Sequence, residues 1–283
     1  MNKMTFRAAA LALLLCAAGL AQPPMQPPQE LDRLVNRIAL YPDPLLAQVL
    51  AAATFPNDIP DAATWADQHH YLTGDSLAAA ISGDHLPWDP SVQALLPFPS
   101  VLDMMARDMQ WTQRLGDAFL AQQQDVMEAV QRMRRLARDY GYLRTNKTIV
   151  VGGTGPYVEI TCVNPAWVYV PVYDPLVVFA PPRPGFFVAG AINFGFGIAI
   201  GPAFRPWGWG YNRFVWNSHT VIVNNAPWRR TWVTRNTYVH PYTVQRYEAP
   251  RRVETHQLVE RSPAEREAAR TGREVREEHR GRR

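Results

Sequence analysis

Three times along the chain an aromatic residue, an aspartate and a proline stand together ahead of an apolar run: Tyr41-Pro42-Asp43-Pro44-Leu45, Trp88-Asp89-Pro90-Ser91-Val92 and Tyr173-Asp174-Pro175-Leu176-Val177. Carboxylates brought together in pairs with separated pKa values could run acid–base hydrolysis, as glycoside hydrolases do with two acids flanking a bond. Each Asp-Pro pair also has a simpler local reading. An aspartate ahead of a helix accepts from the free N–H groups of the first turn, and proline tolerates the first helical position because its missing N–H had no partner there. Asp43 and Asp89 are therefore predicted to cap helices, and Asp174, set between two strand-like runs, to make a turn.

Asp67, His69, His70, Asp84 and His85 form a dense cluster of metal-ligand types, and imidazole with carboxylate can hold divalent ions. Adjacent His69 and His70 cannot both face one ion from a regular helix, so the cluster reads as surface histidines beside a loop. No metal or other cofactor is expected. Cys162, close to Asn164-Pro165, reads as a strand residue, and no Ser or Cys has a nucleophile's signature around it. Gly152-Gly153-Thr154-Gly155 lacks the Lys and the following helix of a phosphate loop.

The strongest binding signal lies further on. Trp207, Trp209, Tyr211, Trp216, Trp228, Trp232, Tyr238 and Tyr242 alternate with Arg213, Arg229, Arg230, Arg235 and Arg246. Trp and Tyr faces stack on sugars or bases, and Arg stacks or pairs with anions. A binding surface on Trp207, Trp209, Trp228, Arg229, Arg230 and Trp232 follows. The same rings would serve equally as the core of a β-domain, and a GC-rich genome would enrich Ala, Pro and Arg without any functional cause.

Composition sets the compartment. Lys3 and Arg7 precede an uncharged apolar run over 8–21, too short to span a bilayer well, which is the pattern of a secretion signal cleaved after Ala21. The expected location is the periplasm, with lipid anchoring at Cys16 as the alternative; Leu15 is a poor residue ahead of a lipidated Cys. Without the signal Cys162 is the sole cysteine, so no internal disulfide staples the exported chain. The formal charge of +4 falls to about +2 without Lys3 and Arg7, too little to argue for nucleic acid.

The elements that must position these residues are helical first. After a Pro/Gln leader over 22–28, Leu31, Leu34, Val35 and Ile38 have helical spacing, and a helix from Asp43 through Leu50 is apolar almost all round and must be buried. Helices over 58–71 and 75–81, the second capped by Asp75, and one opened by Asp89-Pro90 follow. Ser100, three residues before Asp103, resembles a capping box. It opens a long periodic segment through Val101, Met105, Met109, Leu115, Phe119, Val126, Val130 and Met133, with Gly116 its weakest point and Gly141 its C-cap.

From Lys147 the pattern turns to β, with short runs over 148–151, 157–161, 167–170 and 176–179. Residues 186–204 carry no charge. Ile192, Phe194, Phe196, Ile198 and Ile200 alternate with small or polar residues, which predicts a strand; the Gly197-to-Gly201 spacing keeps open a membrane helix and membrane association through 186–204. The Arg/Glu-rich tail over 248–283 cannot bury a core and should be disordered or a solvated helix.

Four blocks, in order, resemble one family: Ile38-Ala39-Leu40-Tyr41-Pro42-Asp43-Pro44-Leu45-Leu46-Ala47-Gln48-Val49-Leu50; Leu86-Pro87-Trp88-Asp89-Pro90-Ser91-Val92; Asp108-Met109-Gln110-Trp111-Thr112 with Leu115-Gly116-Asp117-Ala118-Phe119; and Val168-Tyr169-Val170-Pro171-Val172-Tyr173-Asp174-Pro175. The chain is similar over 29–179 to the bacterial domain-of-unknown-function family 3300. The resemblance implies an exported protein of Gram-negative bacteria and implies no reaction; the stretch after Phe179 lies outside the blocks.

The expectation is an α+β protein: a helical N-terminal half, a small antiparallel β-region, a Gly/aromatic-rich β-region over 181–247 and the charged tail. It would act as a non-enzymatic envelope binding or structural protein whose partner is an envelope glycan, lipid or protein. A hydrolase acting on an envelope polymer through Asp carboxylates is the alternative. A hydrolase needs acidic side chains converging in one cleft, whereas a binding protein needs exposed Trp, Tyr and Arg.

Overall fold

The computed structural model describes residues 25–182 and 190–238. Residues 1–24, which include the expected signal and Cys16, residues 183–189, residues 239–247 of the aromatic region and the charged tail lie outside the described residues. Within them the α+β architecture is present, with helices first and antiparallel strands after.

Among the described residues eight helices build the first half: α1 (Pro28–Val35), α2 (Asp43–Ala53), α3 (Ile59–Gln68), α4 (Gly74–Gly83), α5 (Pro90–Gln93), α6 (Pro99–Arg107), α7 (Met109–Ala121) and α8 (Gln123–Asp139). As its composition requires, α2 is buried on all sides, every residue but Pro44 being inside. The long periodic segment is three helices. It breaks at Asp108, whose side chain accepts from Trp111 N–H, and at Gln122, each leaving the helical conformation. Gly116 sits unbroken inside α7. An added Cβ there would fall 2.0 Å from the Ala53 carbonyl oxygen, so this glycine is what lets α7 lie against the end of α2. Ser100 lies inside α6, which starts at Pro99 with no side-chain cap, and α4 starts at Gly74, so Ser100 and Asp75 are not N-caps. Gly141 does end α8: it has φ +80°, and Tyr142 N–H reaches back to the Ala137 carbonyl.

The β-region is a set of small antiparallel ladders. β1 (Ile149–Gly152) pairs with β2 (Glu159–Cys162). β3 (Trp167–Val168) pairs with β6 (Ile198–Ala199), and β4 (Pro171–Tyr173) with β5 (Ile192–Phe194). These are two separate two-stranded sheets, linked by Tyr169 and Val170 on one side and by Gly195, Phe196 and Gly197 on the other. The alternation read from the sequence holds in both sheets, with Asn193 and Ala199 exposed and Ile200 buried, but Phe196, between them, lies fully in solvent. Residues 190–204 thus form strands and the start of a 3-10 turn (Pro202–Trp207), and no helix among the described residues is long and apolar enough to cross a membrane.

The run over 176–179 differs from expectation. It forms a one-turn helix, α9 (Pro175–Val178), because Asp174 accepts from Leu176 N–H at 2.9 Å and Pro175 takes the first helical position. Asp174 is therefore a helix cap and not a turn between strands. β7 (Arg213–Val215), β8 (Thr220–Val223) and β9 (Ala226–Pro227) complete the described sheet structure.

One core joins the two halves. Leu45, Leu50, Phe98 and Phe119 of the helices share it with Trp207, Trp209, Trp216 and Trp228. A smaller cluster, including Leu40, Ala137, Leu143, Ile149 and Ile160, closes the end of α8 against β1 and β2.

Candidate functional site

Asp43 is not a cap. No side-chain bond reaches the first turn of α2; the carboxylate points into the core, where Arg134 Nη1 donates to Oδ1 at 2.6 Å and Trp216 Nε1 to Oδ2 at 3.1 Å. Arg134 is itself 0 % exposed, and its other N–H groups donate to the carbonyls of Ala39, Tyr41 and Val158. The guanidinium also lies 5.1 Å from the centroid of the Trp216 ring. Beside it Gln131 takes both polar groups of the Val158 backbone. The physical reason for the correction is reach: Asp43 lies within the helix, and a buried cation from α8 is a stronger partner than its own first turn.

Asp89 does cap α5, accepting from Ser91 N–H at 2.9 Å. It also meets a second acid, since its own N–H donates to Asp58 Oδ2 at 3.2 Å. Burial raises both carboxyls above the usual range. For Asp58 the Asp89 N–H opposes the rise and the Asp89 charge adds to it; for Asp89 the Ser91 hydroxyl and N–H oppose it; Arg230 lowers both. Burial likewise pushes the Tyr238 hydroxyl up to about 12, with the Asp89 charge adding to it. Asp43, Asp89 and Asp174 thus serve three separate structural places and do not converge.

The aromatic set divides. Trp207 and Trp209 are each 1 % exposed and Trp228 is buried with them. They are core residues, which corrects the expectation that they form an open binding surface. Their ring N–H groups explain why Trp was used: Trp207 donates to Gln93 Oε1 and Trp209 to the Ala94 carbonyl, tying this segment to the chain around α5. Arg230 is half-buried, donating to the Thr54 carbonyl and hydroxyl and lying 3.7 Å from the Phe55 ring centroid. Trp232 is half-buried beneath Arg235, and its backbone N–H donates to the Leu120 carbonyl. Arg229 is exposed.

Tyr211 is exposed within this segment, and other exposed rings lie elsewhere. Between the α3–α4 corner and the ribbon of β3 and β6 lies a cleft of about 390 Å³. Leu77, Leu96 and Phe204 supply its apolar wall, and Trp167, His69 and His70 line it with rings. Trp167 is 40 % exposed because it sits on the outward side of β3, opposite buried Val168. Gly197 faces it: a Cβ there would stand 3.0 Å from Trp167 Cε3 and 2.8 Å from Tyr169 Cε1, so this glycine lets the two rings lie against the backbone. Across the cleft His69 stacks on Trp65 at 3.9 Å between centroids, and Tyr71, 69 % exposed, extends the stack.

The histidines are held by the helix end. His69 Nδ1 lies 2.8 Å from the Trp65 carbonyl and His70 Nδ1 2.5 Å from the Asp67 carbonyl. A carbonyl only accepts, so each Nδ1 carries the proton, and in the neutral ring each Nε2 is an acceptor. Asp84 is taken by Trp65 Nε1 at 2.7 Å. Among the described residues no three His, Cys, Asp or Glu side chains gather as metal ligands. Cys162, at the end of β2, is half-buried, and burial raises its thiol.

The chain belongs to the family described as protein of unknown function DUF3300, whose model matches residues 27–252. The match runs well past Phe179, taking in the aromatic segment whose tryptophans share the helical core. Among curated proteins the chain is similar to the uncharacterised protein YacH of Escherichia coli strain K12, at 34 % identity over 218 residues, 62 % of this chain and 35 % of that protein. The chain thus spans about a third of that relative's length. No solved structure matches it.

Proposed function

We propose that this is a non-enzymatic binding protein of the bacterial cell envelope, exported by the apolar N-terminal segment and holding its partner in the cleft between α3, α4 and the β3–β6 ribbon. The observation that carries this is the cleft itself: a concave, mostly apolar space rimmed by exposed rings, the character of small-ligand sites, whose volumes start near 300 Å³. Binding is favoured over hydrolysis because the three Asp-Pro carboxylates are spread over a buried ion pair and two helix caps.

Retention on isolated envelope material tests it. Trp167→Ala removes an outward ring from a two-residue strand and should lower retention several-fold with unchanged far-UV circular dichroism. Undiminished retention with the fold intact would remove the cleft from the account.

A further inference from the structure

The cleft combines three features that select its occupant. It has rings to stack on, it has two imidazoles whose Nδ1 is turned to a backbone carbonyl so that Nε2 accepts in the neutral ring, and no residue lining it is an Asp, Glu, Lys or Arg. The charge around it points the same way. No Lys or Arg occurs between Arg37 and Arg107, a stretch that carries Asp61, Asp67, Asp75 and Asp84 on or beside the helical wall. A phosphate or carboxylate group would find no Lys or Arg among the lining residues. An acyl chain would fill the apolar wall but leave both Nε2 acceptors desolvated without a donor, an unfavourable outcome for any polar group. A sugar ring meets all three features: its C–H face is apolar, and its hydroxyls donate.

We propose that the cleft seats a ring of a neutral, hydroxyl-rich glycan, whose apolar face lies on Trp167 and whose hydroxyls donate to His69 Nε2 and His70 Nε2. This rests on the reading of the cleft as the ligand site and adds the class of ligand. Thr73, at the open end of α4, supplies a hydroxyl able to donate or accept. The Nδ1 bonds to the Trp65 and Asp67 carbonyls are the positioning devices, because they set both the tautomer and the ring orientation.

The test is titration calorimetry of the protein as purified from cells, with chitotriose and cellotriose as neutral probes and dodecanoate as the acyl probe. Saturable binding of at least one oligosaccharide is expected. It should weaken tenfold or more in Trp167→Ala and in Ala199→Trp, which fills the cleft from the exposed side of β6, and to a smaller degree in His70→Ala. Far-UV circular dichroism should match the wild type in all three. If neither oligosaccharide binds while Trp167→Ala still loses envelope retention, the glycan proposal falls and the cleft reading stands; binding of dodecanoate would then name the occupant as an acyl chain. If Trp167→Ala and Ala199→Trp both retain the envelope as the wild type does, the cleft reading falls and the glycan proposal with it.

Discussion

Asp43 and Asp89 stand in the same local motif, yet their substitutions should behave differently. Asp43 neutralises a fully buried guanidinium. Removing its charge leaves that cation uncompensated, so Asp43→Ala and Asp43→Asn should each cost about 3–5 kcal/mol in urea unfolding. A cap residue would have tolerated Asn. Asp89 is such a residue, and Asp89→Asn keeps an acceptor for Ser91 N–H. Its folded pKa is raised, chiefly by burial, so the ionised form is the penalised one. That penalty is absent below the unfolded carboxyl pKa and grows as pH rises through the folded value. Asp89→Asn should therefore be neutral or stabilising at pH 7 and lose that advantage in acid, which thermal unfolding across the pH range will read.

Among the elements, α7 carries the closest approach. The helix-breaking reputation of glycine marks Gly116 as a weak point in sequence, because propensity counts only the residue's own backbone freedom. In the fold its missing side chain is what matters, since an added Cβ would meet backbone atoms of Ala53 that cannot swing away. Gly116→Ala should thus destabilise, by about 1–3 kcal/mol or more, despite the better helix former. A raised Tm for this variant would contradict the contact. A comparable misreading concerns 176–179: an apolar run with Val177, Val178 and Phe179 looked like a strand, but one turn is too short for propensity to outweigh an Asp-Pro start.

For the molecule as a whole the aromatic segment is structural before it is anything else. Trp228 packs edge-on to Phe55 at 6.5 Å and beside Tyr238 at 5.1 Å, so one ring bridges the end of α2 and the segment that follows β9. Trp228→Ala should cost about 3–5 kcal/mol, with the helical far-UV signal and the aromatic near-UV signal lost in a single transition. Helical signal that outlives the aromatic signal would mean separate folding of the two halves. Much of this architecture was legible locally. The helical half, the buried α2, the β-pattern after Lys147, the strand alternation over 192–200 and the family itself follow from periodicity, caps and four ordered blocks, because those signals reside in neighbouring residues. The tertiary structure decided what each motif is for. Asp43 meets Arg134 across 91 positions and Trp216 across 173. Likewise His69, His70 and Trp167 come to line one cleft only when the ribbon folds onto the α3–α4 corner. Local pattern encodes which face of an element is apolar, but partners this distant are selected by shape and charge in the assembled core. The same reason placed most of the tryptophans inside and left the open rings where the sequence had marked only a strand and a pair of surface histidines.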